Sequence, residues 1–181
     1  KNVFKCTIIR DPLDRVLSHY KFVLFKLNRN PTDYSLFNYI KDEIDNCREN
    51  LVTRHFSGML MVKNKITEND KKKALINLKI FDKIDIFENW DYFVSKLLSK
   101  HGLPSILYSR FQENSYDFVF NPNQSDIDLI RKHYNYDFEI YNEVLKFLPK
   151  KEKNLKKNYN EKICIVSPYL KSQNRLYELN E

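Results

Sequence analysis

The chain has 181 residues, 42% hydrophobic and 14% aromatic, enough for a packed core and too apolar for wholesale disorder. A formal net charge of +7 favours anionic partners such as a nucleotide, an acidic glycan, nucleic acid or acidic lipid. Only two glycines occur, Gly58 and Gly102, which excludes a glycine-rich phosphate cradle, and no apolar run approaches the roughly 20 residues of a membrane span.

Taken in chain order, Val3 to Ile9 (VFKCTII) reads as a buried strand, with Cys6 a small buried hydrophobe. Asp11 then caps a helix with Pro12 at its first position, and Asp14 reinforces the positive N-terminus. Val16, Tyr20, Val23, Leu24 and Leu27 share one stripe of that helix; Ser18, Phe22 and Phe25 form a second face. Two apolar faces predict a helix sandwiched within the fold. Further helices are predicted at about 36–45, 50–56 and 68–78, a strand at 83–87, and a helix at 91–100 stopped by Gly102 and Pro104. Residues 106–120 are ambiguous. Three-to-four spacing over 126–148 is helical, with Asn135 and Asp137 dividing it in two and Asp137 capping the second half. Residues 146–162 hold seven lysines and two glutamates, an exposed basic linker, and KICIV beyond it adds an edge strand. Strands alternating with helices point to an α/β fold with one domain over 1–148 and an extension over 149–181. Three cysteines (Cys6, Cys47 and Cys164) without CxxC spacing argue against a disulfide framework or a zinc site, and fit a reducing cytoplasm.

The chemistry concentrates in TIIRDPLDRVLSHY, Thr7 to Tyr20. Arg10 falls at the C-terminal end of a strand, where α/β folds place ligand sites. Ser18 lies about two turns into the following helix. A phosphate between them meets a guanidinium fork able to donate two charge-assisted hydrogen bonds, plus a hydroxyl donor. This element resembles the 3′-phosphate-binding motif of sulfotransferases that use 3′-phosphoadenosine 5′-phosphosulfate (PAPS), in particular carbohydrate sulfotransferases of the heparan sulfate 2-O type. LVTRHFSG (51–58), KIDIFENWDYFVSKLL (83–98) and LIRKHYNYDFEIYNEVLKFL (129–148, with Asp137 and Tyr141) are similar to further family segments. Asp85 stands where a glycine is common in the family, and Asn89 where an arginine is common.

The resemblance implies a P-loop-NTPase-like sulfotransferase fold, a parallel sheet flanked by helices, and transfer of a sulfuryl group from PAPS to a carbohydrate or other hydroxyl acceptor. It implies no metal; a specific nucleic-acid partner is not expected, because the chain lacks an aromatic-basic surface motif. Arg10 and Ser18 map onto the family's 3′-phosphate ligands. Asn114 and Ser115 lie where related enzymes have a loop near the donor, and Arg54 and His55 are candidates for substrate contact. In the family the phosphosulfate loop and the catalytic base precede this motif, so both are expected before Lys1 and the chain as given is expected to be an incomplete catalyst. The alternative is a non-catalytic relative that binds a nucleotide or acidic glycan. Bacterial kin are cytoplasmic, the favoured location; eukaryotic kin are held in the Golgi membrane.

The remaining charged and aromatic residues read as structural. Arg15 pairs with Asp11 one turn away. His19 lies on the polar stripe, His101 complements a helix end and His133 belongs to an amphipathic helix. Glu88 supports its surroundings, and Trp90 belongs to the core.

Overall fold

Local capping signals set most element boundaries, and packing then decides which faces are buried. A computed structural model describes residues 3–102 and 120–148. The chain packs as two compact units, Lys1–Trp90 with Ser115–Lys150, and Asp91–Asn114 with Lys151–Glu181; the division falls inside the span read from sequence as one domain.

In the first unit, strands β1 (Cys6–Ile9) and β2 (Lys83–Ile86) pair in parallel, with Ile8 opposite Asp85 and Ile9 opposite Ile86. Its helices are α1 (Pro12–Leu27), α2 (Leu36–Asp45), α3 (Leu51–Ser57) and α4 (Glu68–Leu78). A 3-10 turn, Phe87–Asn89, follows β2 and leads to α5 (Trp90–Lys100), which runs into the second unit. The first unit then resumes with α6 (Gln124–His133) and α7 (Asn135–Phe147). The chain is thus mixed α/β, mostly helical, with a small parallel sheet among the described residues.

The caps explain the close match of α2 and α4 to their expected spans. Ser35 accepts the Asn38 N–H at the start of α2, and Thr67 and Asp70 form a reciprocal capping box at the start of α4. Asp11 accepts the N–H groups of Leu13 and Asp14 at 2.8 and 3.2 Å, as its position before Pro12 requires.

Two cores form. Val16, Tyr20 and Leu24 of α1 meet Leu36, Tyr39 and Ile40 of α2 and Ile130 and Tyr134 beside α6. Ile9 and Ile86 of the strands meet Ala74 and Leu78 of α4 and Ile140, Tyr141 and Val144 of α7.

Three expectations are corrected. Cys6 is exposed rather than buried, because burial along β1 reaches completion only at Ile9. The second face of α1 is open: Phe22 is 41% and Phe25 61% exposed, so α1 is packed on one side among the described residues. Asp137 does not cap α7. It turns inward, fully buried, and its carboxylate accepts the N–H groups of Val52 and Thr53 at the start of α3. The N-cap residue of α3, Asn50, makes no side-chain cap of its own, so Asp137 supplies from α7 what the local sequence lacks.

Candidate functional site

The register of the two strands assembles the site. Ile9 and Ile86 are opposite each other and end their strands, so the turns that follow, Arg10–Asp11 and Phe87–Glu88, leave the sheet side by side at its carboxyl edge. That edge is where parallel α/β sheets present side chains to ligands. The Arg10 guanidinium rests over the Phe87 ring, 5.3 Å from its centroid. Arg10 is half-buried, and among the described residues no carboxylate pairs with it, neither Asp11 nor Asp14. A ring under the guanidinium engages its face and leaves the in-plane N–H fork available to an acceptor.

Asp11 is committed elsewhere. Its carboxylate caps α1, so the positive end of that helix already faces an anionic side chain. The Asp11 N–H donates to Glu88 Oε1 at 3.3 Å, and the Tyr141 hydroxyl donates to Glu88 Oε2 at 3.2 Å. Burial, and then the Glu88 and Asp11 carboxylates, push the Tyr141 phenol well above its usual range, so it remains a donor.

Ser18 lies two turns of α1 beyond Arg10, on the side away from the Val16–Tyr20–Leu24 stripe. The residue is half-buried, and its hydroxyl makes no hydrogen bond among the described residues. His19 sits next to it but turns toward α2, with its Nδ1 hydrogen-bonded to the Tyr39 hydroxyl at 2.7 Å and its ring stacked on Phe22. Desolvation of the ring, followed by the charges of Arg15 and Arg48, lowers the His19 pKa.

The other sequence candidates separate from this edge. Arg54 is 1% exposed: its Nε donates to the Glu49 carbonyl at 2.8 Å, Nη1 to the Val62 carbonyl at 3.2 Å, and Nη2 to Glu49 Oε1 at 2.8 Å and the Asn64 carbonyl at 3.0 Å. So committed, it clamps the loop after α3 and has no face to offer a substrate. His55 is exposed and packs edge-on against Phe56, 5.1 Å between centroids. Arg15 does not pair with Asp11; its Nη2 approaches Asp137 at 3.6 Å and its guanidinium lies over the Tyr134 ring. Asn114 and Ser115, like Cys164, the KICIV segment and most of the basic linker, lie outside the described residues.

Sequence reasoning passed over Phe87 as the floor beneath Arg10, although a strand pairing ending at Ile9 and Ile86 makes them neighbours. Trp90 lies near that floor, 6.2 Å from Phe87 between ring centroids. Among the described residues no group of three or more metal-ligating side chains occurs, and no helix is long and apolar enough to cross a membrane. Comparison of the chain with family models, curated proteins and solved structures finds no match.

Proposed function

We propose that this chain carries the 3′-phosphate-binding half of the donor site of a sulfotransferase, which moves a sulfuryl group from PAPS to a hydroxyl of a carbohydrate acceptor on a P-loop-NTPase-like α/β fold. The observation that carries the reading is Arg10: a guanidinium at the carboxyl edge of two parallel strands, floored by Phe87 and claimed by no carboxylate among the described residues. The family motif gives that arginine its phosphate, and the Ser18 hydroxyl, which makes no hydrogen bond among the described residues, supplies the second donor. PAPS brings the activated sulfuryl group; Arg10 and Ser18 hold the far end of the donor and fix its orientation, which is a large part of what sulfuryl transfer asks of a protein.

The fit is chemical as well as positional. A phosphate dianion accepts two parallel N–H donors from one guanidinium, whereas a lysine at this place offers only a point charge. With Asp11 occupying the start of α1, binding rests on side chains rather than on the helix end. The test is calorimetric titration with 3′-phosphoadenosine 5′-phosphate. Arg10→Ala weakens binding about ten- to a hundredfold, as loss of a charged hydrogen-bonding pair does, and Arg10→Lys recovers part of it. Equal affinity in wild type and Arg10→Ala would overturn the reading.

A further inference from the structure

We infer that the 3-10 turn Phe87–Asn89 presets Arg10 for anion binding, with Glu88 as a positioning residue anchored by Tyr141. The inference rests on the nucleotide reading above and extends it to residues that touch no nucleotide.

The two turns that leave the sheet run side by side, and each residue of the second serves the first. Phe87 lies beneath the Arg10 guanidinium at 5.3 Å. Glu88, the next residue, takes the Asp11 N–H on one carboxylate oxygen and the Tyr141 hydroxyl on the other, at 3.3 and 3.2 Å. Tyr141 is 8% exposed within the second core, so α7 holds Glu88 and Glu88 holds the backbone of the Arg10–Asp11 turn. The 3-10 turn is itself pinned. Asp85, 2% exposed, accepts the Ile86 N–H at 2.9 Å and the Asn89 side-chain amide at 3.0 Å, both on Oδ1. These are the two positions at which the segment departs from the family pattern, and here they bond to each other.

A long arginine side chain on a loose turn loses rotamer and backbone freedom when it grips an anion, and that loss subtracts from affinity. A ring floor and a tied backbone N–H remove much of that freedom beforehand. The effect therefore belongs to the 3′-phosphate and not to the rest of the nucleotide.

The experiment compares calorimetric titrations of the full chain with 3′-phosphoadenosine 5′-phosphate and with adenosine 5′-monophosphate, which lacks the 3′ group. Glu88→Ala weakens the first about five- to twentyfold and leaves the second within about twofold, because only preorganisation of Arg10 is lost. Glu88→Gln, which keeps an acceptor for Asp11 and a polar partner for Tyr141, restores affinity to within about threefold. In an Arg10→Ala background Glu88→Ala costs nothing more, since its effect passes through Arg10. Phe87→Leu tests the same arrangement from below and decides the matter should Glu88→Ala lower the melting temperature. If Arg10→Ala weakens binding while Glu88→Ala and Phe87→Leu do not, the inference falls and the nucleotide reading stands. If both nucleotides lose affinity equally on Glu88→Ala, the residue is merely structural and the inference falls. If Arg10→Ala changes nothing, the nucleotide reading falls first.

Discussion

Arg54 and Arg10 are the same side chain used in opposite ways. Arg54 lies inside the first unit with four hydrogen bonds, one of them an ion pair with Glu49, tying α3 to the loop that follows it. Arg10 stands at the edge of the sheet with an aromatic floor and, among the described residues, no anionic partner. A buried guanidinium must be saturated by its own protein, because an unpaired charge in the interior is too costly. A guanidinium at a strand end has no such obligation. What remains unclaimed there is available to a ligand, and that difference separates the two arginines more sharply than their surrounding sequence does.

The comparison breaks most readily at the buried end. Arg54→Ala strands the Glu49 carboxylate and frees the Val62 and Asn64 carbonyls, and costs about 3–5 kcal/mol of stability, read by urea denaturation. Arg10→Ala, which loses a half-buried guanidinium with a ring contact but no carboxylate partner among the described residues, costs no more than about 1 kcal/mol by the same measurement. Similar losses from both variants would erase the distinction. Next comes Asp137→Asn, which keeps an acceptor for Thr53 but leaves Arg15 facing a neutral amide; about 1–3 kcal/mol is lost by the same measurement.

The smallest effect is pH dependence. Burial of the ring, then Arg15 and Arg48, lowers the His19 pKa from 6.5; burial, then Lys132, does the same to His133. Groups whose folded pKa lies below the unfolded value contribute stability that is complete above the unfolded value and lost as pH falls through the folded one. The melting temperature therefore drops as pH falls below about 6.5, the unfolded value, and a variant carrying His19→Gln and His133→Gln shows a flatter profile. Burial raises the Glu43 and Asp137 pKa values, which works in the opposite sense toward the carboxylate range, so the double variant is the necessary comparison.

Helix boundaries were legible wherever the cap is local. Ser35, Thr67 with Asp70, and Asp11 before Pro12 each satisfy N–H groups within three residues, and sequence spacing contains that information. The same holds for the α1 stripe through Val16, Tyr20 and Leu24, which is fully buried. The same spacing makes Asp137 look like a local cap, yet its partners are Val52, Thr53 and Arg15, and nothing around residue 137 points 85 residues upstream. Helical spacing pairs Arg15 with Asp11, but burial beside Asp137 wins over a solvent-exposed contact. Phe22 and Phe25 suggested a covered face, and periodicity counts apolar residues without saying what packs on them. At the site, Arg10 and Ser18 stood out from the motif, whereas Phe87 as a floor and Glu88 as a tie depend on a strand register that only the fold supplies.

The β1–β2 pairing also dictates when the Arg10 turn can exist during folding. The backbone of Lys5 donates to the Asp82 carboxylate across 77 residues, and every contact of Phe87 and Glu88 with Arg10 and Asp11 spans the same interval. Closing a loop of that length carries an entropic penalty of about 4 kcal/mol, so this pairing, like the docking of α6 on α1 and α2 in the first core, waits on the meeting of distant segments. During synthesis β1 waits, its hydrogen-bonding edge unpaired by β2, for a partner strand many residues behind. The Arg10 turn therefore depends on a long-range strand pairing that no local helix signal secures.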